Sequence, residues 1–261
     1  MTLERPEPMR IPEIFLADVF RLAMGSGPQP RRVETAVNDI GLVIFDCDGV
    51  LVDSERLAIR TEAEILSSLG WQLSESEIVE RFVGRSAQYM HGEIERQLRR
   101  KVDWDNEFEL RYRTVFEHEL VAVEGIADAL DRIALPTCVA SSGSHARIQF
   151  SLGLTGLSDR FGDRIFSVDD VEHGKPAPDI FLYAADQMGY EPSRCAVVED
   201  SVSGITGALA AGMRVFGFAG GVTSASKLSI VGASVFHHMS ELPSLLSPED
   251  RSQSPGVEVP S

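Results

Sequence analysis

Short runs of consecutive apolar residues alternate with stretches of helical periodicity along most of the chain. Six runs predict strands, at 42–45, 137–140, 164–166, 196–198, 215–218 and 234–237, the last having the weakest pattern. Between most of them, apolar side chains recur every three or four residues, as in helices that pack on one face. This alternation predicts an α/β fold, with a mostly parallel sheet covered by helices on both faces.

Capping residues place several helix ends in this part of the chain. The predicted helices span 125–135, 144–153, 178–188 and 203–211. Ser144 is a typical N-cap, and Pro178 suits a first helical turn. Gly153 and Gly212 are typical residues for the C-terminal ends of their helices.

Residues 54–121 break the alternation, because their pattern is helical throughout. The first of these helices closes at Gly70, and Ser74-Glu75-Ser76-Glu77 is a capping box that starts the next. Two further helical patterns lie at 89–98 and 108–120. We expect an all-helical cap domain at 54–121, inserted into a sheet domain formed by 40–53 and 122–246. Its position directly after the first strand would let it cover a site at that strand's end.

The two ends of the chain differ from this body. An apolar pattern at helical spacing predicts a short amphipathic helix within the extension 1–39, followed by a Gly- and Pro-rich linker at 25–32. The extension either docks on the body or a partner or is loosely attached, and we favour loose attachment. Ser, Pro and Glu dominate 247–261, which predicts a disordered tail.

Composition narrows the possible functions. The 261 residues are 43% hydrophobic, enough for a sizeable core, and 24 basic against 40 acidic residues give a net charge of −16. This balance argues against non-specific binding to nucleic acid or an anionic membrane, since such binding relies on Lys and Arg. No apolar run approaches the ~18 residues of a membrane span, and the N-terminus lacks the pattern of a secretory signal.

The three cysteines, Cys47, Cys138 and Cys195, lie in separate apolar runs. Their spacing matches no zinc motif, and a scattered, odd-numbered set is typical of small buried side chains in a reducing compartment. We therefore expect a cytoplasmic monomer whose partner is a small molecule.

Polar residues follow the predicted strands. They are Asp46 and Asp48 after the first strand, Ser141-Ser142 after the second, Lys175 in a stiff turn before a helix, and Glu199-Asp200 after the fourth. Because the carboxyl ends of parallel strands meet at one edge of a sheet, these groups are expected to converge. A carboxylate there can attack phosphorus or bind a hard cation such as Mg²⁺, and a second carboxylate can move protons.

Four motifs in a fixed order carry a family resemblance. They are DCDGVLVDSE at 46–55, VASSG at 139–143, GKPAPDIF at 174–181 and VVEDSVSGI at 197–205. With them, the chain resembles haloacid dehalogenase superfamily phosphatases that have a Rossmann-like sheet and a helical C1-type cap, in the β-phosphoglucomutase and phosphoglycolate phosphatase-like subfamily. The resemblance covers about residues 40–220.

The resemblance implies a role for each carboxylate. Asp46 would be the nucleophile that becomes an aspartyl phosphate. Asp48 would protonate the leaving oxygen and then deprotonate the attacking water. Mg²⁺ would bind the Asp46 side chain, the Asp48 backbone carbonyl and Asp200, with Glu199 reaching the cation through water or orienting its ligands.

The resemblance also implies groups that hold the phosphoryl oxygens and the substrate. Ser141 and Lys175 would position and stabilise the phosphoryl group. Gly49 permits the tight turn that presents backbone donors to it, and Ser142 and Glu55 are further candidates for contact with substrate. Arg85, in the turn at 83–86, is the candidate for a substrate contact from the helical cap.

Several alternatives concern the reaction and the substrate. Asp48 argues against dehalogenation, because the dehalogenases of this family lack an acid at that position. Phosphoglucomutase-type enzymes have a His four residues after the position of Ser54, where this chain has Ala58, and their cap-loop Lys and Arg do not map cleanly onto 82–86. Hydrolysis of a small sugar or sugar-acid phosphate is favoured, phosphoglycolate remains open, and a non-catalytic binding or interaction module is the alternative of another class.

Two further acids lie close to these motifs. Asp179 is interpreted as a helix-start residue, and the role of Asp53 is left open.

Overall fold

A sheet of parallel strands forms the central layer of the computed structural model, which describes residues 40–83 and 87–247. The strands are β1 Leu42–Phe45, β2 Thr137–Ser141, β3 Ile165–Ser167, β4 Cys195–Glu199, β5 Arg214–Phe218 and β6 Ser234–Phe236. Their order across the sheet is β3-β2-β1-β4-β5-β6. Most of these residues are buried, which explains why the strands are continuous apolar runs in the sequence.

The order of the strands reverses at β1. This strand pairs with β2 on one side, where Phe45 is in register with Val139, and with β4 on the other, where Phe45 is in register with Val198. In open α/β sheets, such a reversal leaves a crevice beyond the carboxyl ends of the strands. Asp46 therefore enters the crevice as the residue directly after β1.

Helices cover both faces of the sheet. They are α5 Ile126–Arg132, α6 His145–Leu154, α7 Ser158–Phe161, α8 Asp179–Met188, α9 Val202–Ala210, α10 Ala225–Ile230 and α11 Leu242–Leu246. Because strand side chains alternate between faces, Val43 and Phe45 pack into one apolar cluster and Leu42 and Ile44 into the other. The α/β prediction is confirmed.

Several predicted boundaries shift by one to three residues. Ser144 caps α6 as expected, but the helix continues through Gly153, and the left-handed residue beyond its end is Gly156, with φ of 71°. Helix α9 begins one residue early, because Ser201 is its N-cap. Strand β2 is one residue longer than predicted and β4 is one residue longer at each end, so that Ser141 and Glu199 are the last residues of their strands.

The segment between β1 and α5 is largely helical. Its helices, which we call the helical insertion, are α1 Ser54–Ser68, α2 Glu75–Phe82, α3 Ala87–Leu98 and α4 Leu110–Glu119, with a π-helical turn at Asp105–Glu109. They enclose their own apolar cluster, with Ile65, Ile78 and Ile94 fully or almost fully buried. The predicted capping box is present, since Ser74 Oγ accepts a hydrogen bond from Glu77 N and Glu77 Oε2 accepts one from Ser74 N.

Two short segments connect the helical insertion to the sheet, one before α1 and one after α4, and they hydrogen-bond to each other. Asp53 N donates to Val121 O at 3.0 Å, and Val123 N donates to Leu51 O at 3.0 Å. The chain therefore leaves and re-enters the sheet region side by side. The division into 40–53, 54–121 and 122–246 stays a prediction about domains, although the separate apolar cluster of the insertion supports it.

Some sequence-based expectations fall outside the described residues. The extension 1–39 with its helix and linker, Arg85, and all of the tail 247–261 except Ser247 are among them. The three cysteines are free and buried, as expected. Within 40–83 and 87–247, no helix is both long and apolar enough to cross a lipid bilayer.

Phe161 provides a test of the packing beneath β1. Its side chain is fully buried, and its ring meets that of Phe45 edge-on at 6.4 Å between centroids. Phe161→Ala should lower the free energy of unfolding by about 3–5 kcal/mol, because it leaves a cavity under the central strand. Phe150→Ala is the control, since Phe150 is 37% exposed. Urea unfolding measures both, and equal losses would contradict this placement of the core.

Candidate active site

The Lys175 ammonium group binds three acceptors at the carboxyl edge of the sheet. Its Nζ donates to Asp46 Oδ1 at 2.5 Å, to Glu199 Oε1 at 2.7 Å and to Ala140 O at 3.0 Å. All three donors of the ammonium are thereby used. One side chain thus links the ends of β1, β2 and β4.

Lys175 is charged although its side chain is only 5% exposed. Burial alone would lower its pKa, but the neighbouring carboxylates of Asp46 and Glu199 outweigh burial and raise the pKa above its ordinary value. The Phe181 ring, 5.1 Å from Nζ, lies beneath the ammonium and adds a cation–π contact. The lysine is therefore a fixed positive charge.

Three buried carboxylates surround this charge. Oxygens of Asp46, Glu199 and Asp200 all lie within 4.8 Å of one another. Burial raises the pKa of Asp46 to about 8, with Lys175 opposing the rise and Glu199 adding to it. Burial, followed by the charge of Glu55, raises the pKa of Asp200 well above its ordinary range. Full ionisation of all three acids would therefore place more negative charge here than Lys175 can balance, and burial favours retention of a proton.

The residues present fit a hard divalent cation. Asp200 Oδ2 and Glu55 Oε2 are both buried and have no hydrogen-bond partner among the described residues. A buried carboxylate oxygen without a donor is costly, and oxygen ligands of this kind are those that Mg²⁺ prefers. Burial raises the pKa of Glu55 to about 7. The structure thus brings together Asp46, Glu199 and Asp200, which the sequence assigned to a cation, and their role as ligands stays a prediction. The position of Glu55 beside Asp200 was not expected.

Two glycines leave room for these carboxylates. A Cβ atom on Gly49 would lie 2.0 Å from Asp200 Oδ2, and one on Gly204 would lie 1.6 Å from Glu199 Oε1. Gly49 also has φ of 77°, in the left-handed region that favours glycine. Its amide donates to Val52 O at 2.8 Å, so its contribution is to the shape of the turn, and its own N–H is not offered to a ligand.

Asp48 lies at the mouth of the site. Its Oδ1 accepts a hydrogen bond from Ser54 Oγ at 2.6 Å, and Arg147 Nη2 lies 3.5 Å from the same oxygen. The Asp48 side chain is 28% exposed and that of Arg147 is 57% exposed. Asp48 can therefore exchange protons with a ligand or with water, whereas Asp46 is enclosed.

The serines that follow β2 differ in exposure. Ser141 is buried at the strand end, and its Oγ accepts a hydrogen bond from Gly143 N at 3.1 Å. Ser142 is exposed. Ser167, at the end of β3, donates to Gly143 O at 2.7 Å and so holds this loop against the next strand.

The segment Glu199-Asp200-Ser201 serves the fold and the site together. Glu199 Oε2 accepts hydrogen bonds from Ser201 N at 2.8 Å and from Ser201 Oγ at 2.9 Å. Ser201 Oγ in turn accepts from Gly204 N at 2.9 Å and caps α9. The helix cap thus fixes the carboxylate that binds Lys175.

Sequence reasoning missed Arg147 and Ser54 as neighbours of Asp48. One signal was available, since α6 begins at the site edge and exposes an arginine near its start. Asp179 is the first residue of α8, as interpreted, and contacts His173 Nδ1 at 3.1 Å. Asp53 pairs with Arg56 at 3.8 Å.

A parallel sheet that gathers a buried lysine and a carboxylate cluster at its switch point defines an α/β enzyme. The haloacid dehalogenase-like hydrolase family model matches residues 40–212, so the chain belongs to this family.

Individual relatives agree with this assignment. The 6-phosphogluconate phosphatase of Escherichia coli is 32% identical over 211 residues, 79% of this chain and 94% of that protein. A haloacid dehalogenase-like protein of Agrobacterium tumefaciens is 38% identical with a TM-score of 0.72, and the match covers 79% of this chain and 97% of the other. A family hydrolase of Deinococcus radiodurans with bound phosphate and sodium is 30% identical with a TM-score of 0.72, over 81% of this chain and 100% of the other.

The glycine at 204 provides a test of how tightly Glu199 is held. Gly204→Ala should cost about 1–3 kcal/mol of stability, because Glu199 is held by Lys175 and Ser201 and cannot move away from a Cβ atom. Gly92→Ala is the matched control on a helix, since a Cβ there meets no atom within 4 Å. It should gain about 0.5–1 kcal/mol. Urea unfolding at neutral pH measures both, and a gain for Gly204→Ala would show that the Glu199 carboxylate is free to shift.

Proposed function

We propose that the chain is a Mg²⁺-dependent phosphatase that hydrolyses a small sugar or sugar-acid phosphate through an aspartyl-phosphate intermediate. The observation that carries this proposal is the buried Asp46 carboxylate, held by Lys175 directly after the central strand. Beside it, Asp200 has a buried oxygen that accepts no hydrogen bond within the described part of the chain. Membership of the hydrolase family and the relatives that are phosphatases support hydrolysis of a phosphate ester.

Asp46 is the nucleophile in this mechanism. Its Oδ1 accepts the Lys175 hydrogen bond, so we assign the attack on phosphorus to Oδ2. The new O–P bond forms as the bond between phosphorus and the leaving oxygen breaks, which gives an acyl phosphate and an alcohol. Water then attacks this intermediate, restoring Asp46 and releasing phosphate.

Asp48 moves the protons in both steps. It donates one to the leaving oxygen and then accepts one from the attacking water, which contributes about 10²–10⁴-fold to the rate. Ser54 and Arg147 hold its carboxyl group at the mouth of the site, where the leaving group departs. The Ser141 hydroxyl positions a phosphoryl oxygen, and the Lys175 charge beside Asp46 stabilises the negative charge that develops on the phosphoryl group.

The carboxylates of Asp46 and Asp200 and the backbone carbonyl of Asp48 would hold Mg²⁺, with Glu199 orienting the ligands around it. When bound, the cation neutralises the charge that the carboxylates and the phosphoryl group bring together.

The substrate has an anionic or hydroxyl-rich leaving group in this proposal. Arg147 is exposed beside Asp48, where the leaving group would emerge, and a guanidinium binds a carboxylate with two parallel hydrogen bonds. The named activity of the E. coli relative, on 6-phosphogluconate, is in keeping with this. Transfer to a second sugar is disfavoured, because Ala58 has no proton-transfer group where mutases have histidine.

The nucleophile is tested by phosphate release from a panel of phosphorylated sugars and sugar acids, with and without Mg²⁺. Asp46→Asn should lower kcat by about 10³-fold or more, because an amide cannot form the acyl phosphate. Asp159→Asn, at an exposed position of α7, is the control and should match the unaltered protein. Full Mg²⁺-dependent release by Asp46→Asn would refute the assignment. If the unaltered protein released no phosphate but isomerised β-glucose 1-phosphate, the proposed phosphatase activity would be replaced by phosphoglucomutase activity.

Arg147 is tested by a change in substrate preference. Arg147→Met should lower kcat/KM for 6-phosphogluconate relative to glucose 6-phosphate by about 10–100-fold, the effect of a lost charge-assisted hydrogen bond. Arg147→Lys should retain part of the preference. The ratio of the two kcat/KM values is the decisive quantity, because loss of the contact between Arg147 and Asp48 would lower kcat/KM for both substrates alike. An unchanged ratio would remove Arg147 from substrate recognition.

A further inference from the structure

The first turn of α1 brings three consecutive residues of the helical insertion against the sheet domain. Ser54 donates to Asp48, Glu55 lies against Asp200, and the Arg56 guanidinium donates to the Gly220 carbonyl. These contacts come directly after the chain crossing at Asp53. Movement of the insertion away from the sheet would therefore pull all three residues from the site.

Glu55 is the unusual member of this set. Its Oε2 is buried without a hydrogen-bond partner among the described residues, and so is Oδ2 of the adjacent Asp200. When both are ionised, these neighbouring carboxylates provide no donor for each other, and their proximity is unfavourable. Without a metal, a proton shared by the two carboxyl groups joins them, and a cation with its water molecules would take the place of that proton.

The geometry places Glu55 outside the innermost ligands. Among the described residues, the carboxylates with oxygens within 4.8 Å of one another are Asp46, Glu199 and Asp200. Glu55 lies outside this group and contacts it through Asp200. A Cβ atom on Gly221 would lie 3.3 Å from Asp200 Oδ2, so the loop that Arg56 binds also borders this carboxylate. A carboxylate in this position can accept a hydrogen bond from cation-bound water.

We infer that Glu55 is a positioning residue for the divalent cation. Through Glu55, binding of the cation is coupled to the packing of α1 against the sheet. This rests on the proposed function, since the cation is the one assigned there. The sequence suggested that Glu55 contacts the substrate, and this inference assigns it to the cation instead. The helical insertion then packs fully against the sheet only when the cation is bound.

Calorimetric titration of MgCl₂ into metal-stripped, full-length protein tests the inference. Glu55→Gln should raise the Kd for Mg²⁺ by about 10–100-fold, the usual effect of removing an outer partner of a metal site. Glu64→Gln, an exposed carboxylate on the same helix, is the matched control and should leave Kd unchanged. Glu55→Asp keeps the charge and should recover part of the affinity.

Thermal unfolding separates this role from a structural one. In EDTA, Glu55→Gln should unfold at the same temperature as the unaltered protein or higher, because the amide can donate to Asp200 in place of the shared proton. With Mg²⁺ at a fixed concentration, its increase in Tm should be smaller, since stabilisation follows the ratio of ligand concentration to Kd. Amide hydrogen exchange should show Mg²⁺-dependent protection of 54–58 in the unaltered protein and little in Glu55→Gln.

Two results would overturn the inference in different ways. If Glu55→Gln binds Mg²⁺ with unaltered Kd and the same protection of 54–58, Glu55 has no part in the cation site and the proposed phosphatase stands. If the unaltered protein itself gives no heat and no rise in Tm with Mg²⁺, the cation of the proposed function fails, and the role of Glu55 fails with it.

Discussion

The hydrogen bonds of the Lys175 ammonium to the Asp46 and Glu199 carboxylates are the interaction on which this site depends. An acid follows β1 directly and another ends β4, at the switch point of the sheet, where both side chains are buried and little water is present to screen the charges. Breaking a buried pair by removing one partner costs about 3–5 kcal/mol, because the other charge is left uncompensated. The third hydrogen bond of Lys175, to Ala140, adds β2. The proposed chemistry and the junction of three strands therefore both depend on the Lys175 ammonium group.

Lys175 pairs with two of the buried acids, Asp46 and Glu199. Oxygens of Asp200 and Glu55 accept no hydrogen bond from any other described residue, and buried polar groups of this kind are rare enough to require an explanation. The cation proposed above would provide one, since it would take the place of the proton that these two carboxyl groups share. The proposed attack on phosphorus would use the Asp46 oxygen that does not bind Lys175.

The same residues shape the backbone and the site around this charge. Ser201 caps α9 by accepting a hydrogen bond from the Gly204 amide, and it donates one to Glu199. Because Gly204 has no side chain, the Glu199 carboxylate fills the space beside it. Gly49 turns the chain after β1 and leaves the corresponding space for Asp200. Changes at these positions therefore act on catalysis through packing, even though none of these residues needs to touch a substrate.

The sequence by itself determined the order of strands and helices, the capping box at Ser74, the N-cap at Ser144 and the acids at the strand ends, because these depend on hydrophobic period and on hydrogen bonds within a few residues. The tertiary structure decided which groups meet. Lys175 reaches Asp46 across 129 positions and Glu199 across 24, and the choice of partners depends on how strands pack side by side. It also decided that Glu55 faces Asp200, and that Arg147 lies beside Asp48. No local pattern encodes these contacts, since the sheet and the crossing of the helical insertion bring the residues together only after folding.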